Sequence, residues 1–168
     1  MDTSLHHLTP IGSIIQPLIV MDENVEHVDL LEIINIVAKN PMITTKTLKI
    51  ISRLRKLASK SACDHKLGSM VMRGRQILSE GFNKWRMSCH LGRRYSEYNS
   101  IHAEIDAMRQ IRRSELVGTT IYVARFTKNG DYANSKPCPC CDKAIRDLGI
   151  RKMVYTHSEY PFIREEIL

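Results

Sequence analysis

No stretch of the 168 residues approaches the roughly 18 consecutive apolar positions that a membrane-spanning helix needs. The most apolar early run, IGSIIQPLIVM at 11–21, lacks a basic leading segment and is interrupted by Gln16 and Pro17. Neither a secretory leader nor a membrane partner is therefore expected. The cysteines number five, an odd count that argues against a complete disulfide framework. A reducing, cytoplasmic (intracellular) setting is the expectation, and there clustered cysteines more often mean metal binding or catalysis. The chain also lacks a Gly-rich phosphate loop, an internal repeat and any low-complexity tract.

What is present is a core and an uneven charge. Hydrophobic residues make up 43%, which is too many for a disordered chain. The length suits one globular domain with a modest extension. The formal charge of +7 divides sharply along the chain. Residues 1–44 hold six acids and one lysine, and the remainder holds twenty-four bases and twelve acids. A basic body attracts anionic ligands, from nucleotides to polynucleotides, although lysine and arginine also simply coat solvated faces.

Periodicity sketches the order of elements. LLEIINIVAKN, 30–40, has helical spacing and stops before Pro41. Thr44 or Thr45 can cap the next helix, whose stripe is Leu48, Ile51, Leu54 and Ala58. Residues 66–83 read as two strands joined near Arg73-Gly74. A helix is expected over about 101–113 and a strand over 119–126. A loop at 127–137 follows, then a helix at about 138–148 ending at Gly149, and a strand at 152–156. The last residues, SEYPFIREEIL, leave room for one short element. Helices alternating with strands predict an α/β layer. Residues 1–45 are read as an extension and 46–168 as the folded domain.

Two small clusters carry chemistry. In NSIHAEIDAM, His102 and Glu104 stand two apart, where helical neighbours do not face each other. In KPCPCCDKAIRDLG, Cys138 and Cys141 lie three apart at a helix start, where thiolates are favoured and can converge on one metal. His102 is a third ligand of suitable chemistry, and three protein ligands leave a fourth position for water. Glu104 is then not a ligand but reaches toward that water. Cys140 points elsewhere and reads as a small buried thiol.

An H-x-E followed by P-C-x-x-C is the signature of zinc nucleobase deaminases. His102-Ala103-Glu104 and Pro137-Cys138-Pro139-Cys140-Cys141 match it in order, so residues 48–157 resemble the cytidine and deoxycytidylate deaminase superfamily. The resemblance implies a three-layer α/β fold, a central mixed sheet of four to five strands with flanking helices. It implies one zinc per chain on His102, Cys138 and Cys141. It also implies hydrolytic deamination, hydroxide at the zinc attacking C4 of cytosine while Glu104 shuttles protons. The backbone N–H of Ala103 or Cys138 is the expected holder of the water.

For substrate, the expectation is a small-molecule cytosine nucleotide or nucleoside, with dCMP first. Asn83 matches by context an asparagine that touches sugar or base edge in similar deaminases. Arg86, Arg93 and Arg94 lie in a basic segment with Trp85, Tyr95 and Tyr98, suited to a 5′-phosphate and a stacked base. The same inventory suits RNA or single-stranded DNA, so nucleic acid stays open as a partner, for a cytosine or adenine deaminase or for a non-catalytic zinc module. A second zinc at Cys89-His90 with Cys63 and His65 is not expected. The loop 127–136 is longer than the family's usual link, and it either covers the pocket or admits a larger substrate. The shortened end leaves a sheet face for helix 30–40 or a second chain to cover, and a homo-oligomer is expected.

Overall fold

The structure is a computed structural model that describes residues 44–85 and 100–168. The expected helix 30–40, and nearly all of the 1–45 extension, lie outside them. The first element, α1 (Thr45–Ser59), is capped by Thr44, whose side chain accepts from the Thr47 N–H at 3.2 Å. Its buried stripe is Ile50, Ile51, Leu54, Leu57 and Ala58. Strands β1 (Lys66–Arg73) and β2 (Gln76–Phe82) form an antiparallel hairpin in which Arg73 pairs with Gln76. Gly74, at φ 60°, supplies the left-handed conformation that so tight a turn needs.

Two short strands, β3 (Lys84–Trp85) and β4 (Ser100–Ile101), pair with each other and lead into α2 (Ala103–Met108). Then come α3 (Arg113–Leu116), β5 (Thr120–Phe126), β6 (Tyr132–Ala133), α4 (Pro139–Asp147), β7 (Lys152–Thr156) and β8 (Ile163–Ile167). The main sheet has the order β2-β1-β5-β7-β8, with β6 paired to β5. Among the described strands only β5 and β7 run parallel. The mixed sheet and its flanking helices agree with the expected architecture. Among the described residues no helix is long and apolar enough to cross a membrane.

The two sheet faces bury different clusters. Met70, Met72 and Ala124 face α1. Val71, Ile121, Val123, Met153 and Tyr155 join Ile105, Met108, Cys141 and Ile145 on the α2 and α4 side. Two glycines let the helices sit down on the hairpin. A Cβ at Gly68 would overlap the Leu54 carbonyl of α1. One at Gly81 would overlap the Ala107 amide nitrogen of α2 and lie 2.6 Å from the Ala103 carbonyl.

The expected helix over 101–113 stops at Met108, and a separate turn of helix begins at Arg113. Gln110 Nε2 donates to the Asp106 carbonyl at 2.7 Å, the acceptor that the Gln110 amide would need to continue an α-helix. That amide bonds the Ala107 carbonyl instead, tightening the last turn. The long link 127–136 folds back as a hairpin on β5, Phe126 opposite Tyr132. Both aromatics pack with the α1-side cluster, and Arg55 of α1 lies 4.6 Å over the Phe126 ring. The extra chain length therefore packs on the face opposite Cys138 and Cys141. The closing segment becomes β8, antiparallel to β7.

Because the obstacle at Gly81 is backbone, Gly81→Ala should displace α2. The expected cost is about 1–3 kcal/mol, read as a lower urea midpoint. A midpoint equal to wild type would show that α2 is not seated on that glycine.

Candidate active site

His102 is the N-cap of α2, with extended backbone angles, and Cys138 is the N-cap of α4. Pro139 occupies the first turn of α4, where its missing N–H costs nothing. The sheet thus presents two helix starts side by side. His102 Nδ1 lies 3.5 Å from Cys138 Sγ and 3.3 Å from Cys141 Sγ. All three donor atoms fall within 4.8 Å of one another, the only such grouping among the described residues. An imidazole nitrogen and two thiols are the donor set that suits zinc.

The protonation pattern points the same way. The Cys138 thiol is pulled down to about 4, chiefly by its hydrogen bond with Cys141 and also by His102. Cys141 is pushed up, because it holds the proton of that bond and is buried. His102 is raised, first by its bond to Cys138. The two thiols compete for one proton, a conflict that a divalent cation removes by taking both as thiolates.

Glu104 lies in the first turn of α2 and is only 2% exposed. Its carboxyl is raised above the usual range, mainly by burial, against the lowering effects of its own backbone N–H, His102 and Cys141. Its Oε2 has no hydrogen-bond partner among the described residues. A buried oxygen left so costs about 1–3 kcal/mol, so a donor brought to this position, beside the three metal-ligating atoms, would be stabilising. The residues thus fit a zinc with a water next to Glu104.

Other acidic and polar residues hold this frame. Asp106, 1% exposed, accepts from the Phe82 N–H at 3.2 Å and pairs with Lys84 at 2.8 Å and Arg109 at 2.7 Å. Ser135, three residues before Cys138, stitches the ends of β5 and β7. Its Oγ donates to the Val123 carbonyl and accepts from the Thr156 N–H, both at 2.9 Å. Motif spacing gave no sign of either role. An acid two residues after Glu104 and a serine in a polar loop carry no period of their own.

The remaining expected residues divide. Ala103 is fully buried at the start of α2. Asn83 is buried, and its amide bridges the start of β1: Oδ1 accepts from the Leu67 N–H at 2.8 Å and Nδ2 donates to the His65 carbonyl at 2.5 Å. Arg86, Arg93 and Arg94 lie outside the described residues, as do Tyr95, Tyr98 and Cys89-His90. Cys63 and His65 join no metal-binding group among the described residues.

A mixed α/β sheet with a His-Cys-Cys donor set and a buried carboxyl at two helix starts defines the class, an α/β protein whose donor set suits a zinc ion. The family follows from comparison. The profile described as cytidine and deoxycytidylate deaminase zinc-binding region matches residues 44–157, and the chain belongs to that family. It is 28% identical over 117 residues to a deoxycytidylate deaminase of Mycobacterium phage D29, covering 58% of this chain and 84% of the relative. Its fold resembles the dCMP deaminase of cyanophage S-TIM5, with a TM-score of 0.51 at 20% identity, covering 68% of this chain and 86% of that one. It also resembles a cytidine deaminase from Burkholderia pseudomallei, with a TM-score of 0.52 at 18% identity, covering 74% and 93%.

If the three donors share one ion, replacing Cys138 and Cys141 together by Ala should abolish zinc in elemental analysis of the purified protein. Thermal stability should fall with it. Full zinc retention in the double variant would remove the assignment.

Proposed function

We propose that the chain deaminates a cytosine nucleotide hydrolytically, with dCMP as first substrate and dUMP and ammonia as products, using one zinc per chain on His102, Cys138 and Cys141. The observation that carries this is the buried Oε2 of Glu104, without a partner among the described residues, beside the three converging donors. Zinc, when bound, lowers the pKa of water and so supplies hydroxide near neutrality.

The chain's own residues then handle protons and position. Glu104 accepts the proton released from water, and its buried carboxyl, already raised, holds it readily. It passes that proton to N3 of the ring as oxygen adds to C4. A second proton, from the added hydroxyl, goes through Glu104 to the amino group, and the C4–N bond breaks to release ammonia. Glu104 returns to its starting state, so it is a shuttle and is not consumed. The N–H of Ala103, in the first turn of α2, is spared an intrahelical acceptor and is the candidate to orient the attacking water. Burial of the whole of α2 keeps other water away from Glu104.

Glu104→Gln keeps shape but cannot shuttle protons. It should retain zinc and fold while losing about 10²–10⁴-fold in turnover. Ammonia release from cytidine, CMP, dCMP, dCTP and a cytosine-containing oligonucleotide measures this and ranks the substrates. Near-wild-type activity in the zinc-loaded variant would mean that another group moves the proton. Steeply salt-dependent binding of single strands with no turnover of free dCMP would instead favour a polynucleotide substrate.

A further inference from the structure

A cation stands at the carboxyl end of β5, on the face that carries the donor cluster. Side chains alternate along a strand, and Ile121 and Val123 both pack into the cluster that contains Cys141. Arg125 continues that alternation. Its cross-strand partner Leu67 packs against the same cluster. Its backbone N–H is fixed by Thr156 Oγ1 at 3.1 Å, beside the Ser135 stitch that leads to Cys138. The carboxyl ends of parallel strands, here β5 and β7, are where open α/β sheets receive ligands.

The side chain is held without being neutralised. Arg125 Nη2 lies 2.8 Å from His65 Nδ1. A guanidinium has only donors, so the imidazole nitrogen accepts and brings no negative charge. No carboxylate pairs with Arg125 among the described residues. His65 is itself anchored. Ser61 Oγ donates to the Asn83 carbonyl at 2.9 Å, Asn83 Nδ2 donates to the His65 carbonyl, and Trp85 Nε1 reaches the Ala62 carbonyl at 3.4 Å. The loop before β1 thus forms a braced rim, and its imidazole aims a planar fork of remaining N–H donors.

We propose that Arg125, oriented by His65, binds the phosphate on the 5′ side of the cytosine nucleoside. This rests on the deaminase reading above and assigns the residue by which the site tells a phosphorylated nucleoside from a free one. His65 is a positioning residue. A terminal monophosphate and an internal phosphodiester offer the same charged oxygens, so both sources fit this contact.

Calorimetric titration of the zinc-loaded protein, with Glu104→Gln in every form compared so that no ligand is consumed, reads the contact without turnover. The Glu104→Gln parent should bind dCMP more tightly than deoxycytidine, and adding Arg125→Gln should remove about 10- to 100-fold of dCMP affinity while deoxycytidine is unchanged. His65→Ala should remove a smaller part of the same advantage. Equal zinc content in the variants controls for folding. An oligonucleotide with one cytosine distinguishes the source. Loss on dCMP alone supports a terminal phosphate, and loss on the oligonucleotide, with or without dCMP, supports a phosphodiester. No advantage of dCMP in the Glu104→Gln parent with the oligonucleotide unaffected, or equal losses on dCMP and deoxycytidine, would overturn the assignment. Failure of wild type to deaminate any of these ligands would overturn the deaminase reading instead, while the binding difference still decides this one.

Discussion

The backbone of α2 rests directly on Gly81, and the site depends on that contact. With no Cβ in the way, the helix settles so close to β2 that all six of its residues are buried. Two of those six are acids, and a helix buried all round must find each carboxylate a partner. Asp106 finds three, in Phe82, Lys84 and Arg109. It also ties α2 to the open edge of the sheet, where Gln110 Nε2 occupies the outward Glu80 carbonyl at 2.6 Å. Glu104 is left with an oxygen unpaired among the described residues. One turn of helix thus holds an acid that stabilises the frame and another whose burial raises its carboxyl beside the three donor atoms.

The cysteine side is fixed by different means. The insertion between β5 and α4 threatens the position of Cys138, because extra chain adds freedom exactly where two ligands must be placed. The structure removes it at two points. The β5–β6 hairpin takes up the length on the α1 face, and Ser135 then re-enters between β5 and β7 with its hydroxyl and amide both bonded. Lys136 continues the anchoring through Glu166 of β8, which also accepts from Tyr155 at 2.8 Å. That surface ion pair contributes little by itself, but the buried Ser135–Thr156 bonds do not share the same screening. What reaches Cys138 is therefore a short, fixed segment.

The parts legible in the sequence are those set by local pattern. The Thr44 cap, the α1 stripe, the Arg73-Gly74 turn, the strand at Thr120–Phe126 and the stop at Gly149 follow from spacing and propensity. His102, Cys138 and Cys141 were legible through the motif resemblance, and the fold brings their donor atoms within 4.8 Å of one another. The split of the helix after Met108 was not legible, because it turns on where one glutamine side chain goes. Nor was β8, since a charged REE segment gains its strand character only by pairing with β7. The Arg125–His65 contact spans sixty residues, and no window of sequence contains it.

Asn83 shows how one amide can brace a loop and a strand together. The resemblance implies a ligand contact for it, whereas its side-chain bonds are to the backbone of Leu67 and His65. An amide oxygen has two lone pairs and an amide nitrogen two hydrogens, and these bonds use one of each. The bonded half of Asn83 fixes the rim that carries His65 and, through it, Arg125, and one lone pair and one hydrogen stay unused by those bonds. An asparagine with both ends anchored is pre-organised, so any contact made by its remaining donor or acceptor costs less ordering entropy than one from a mobile side chain.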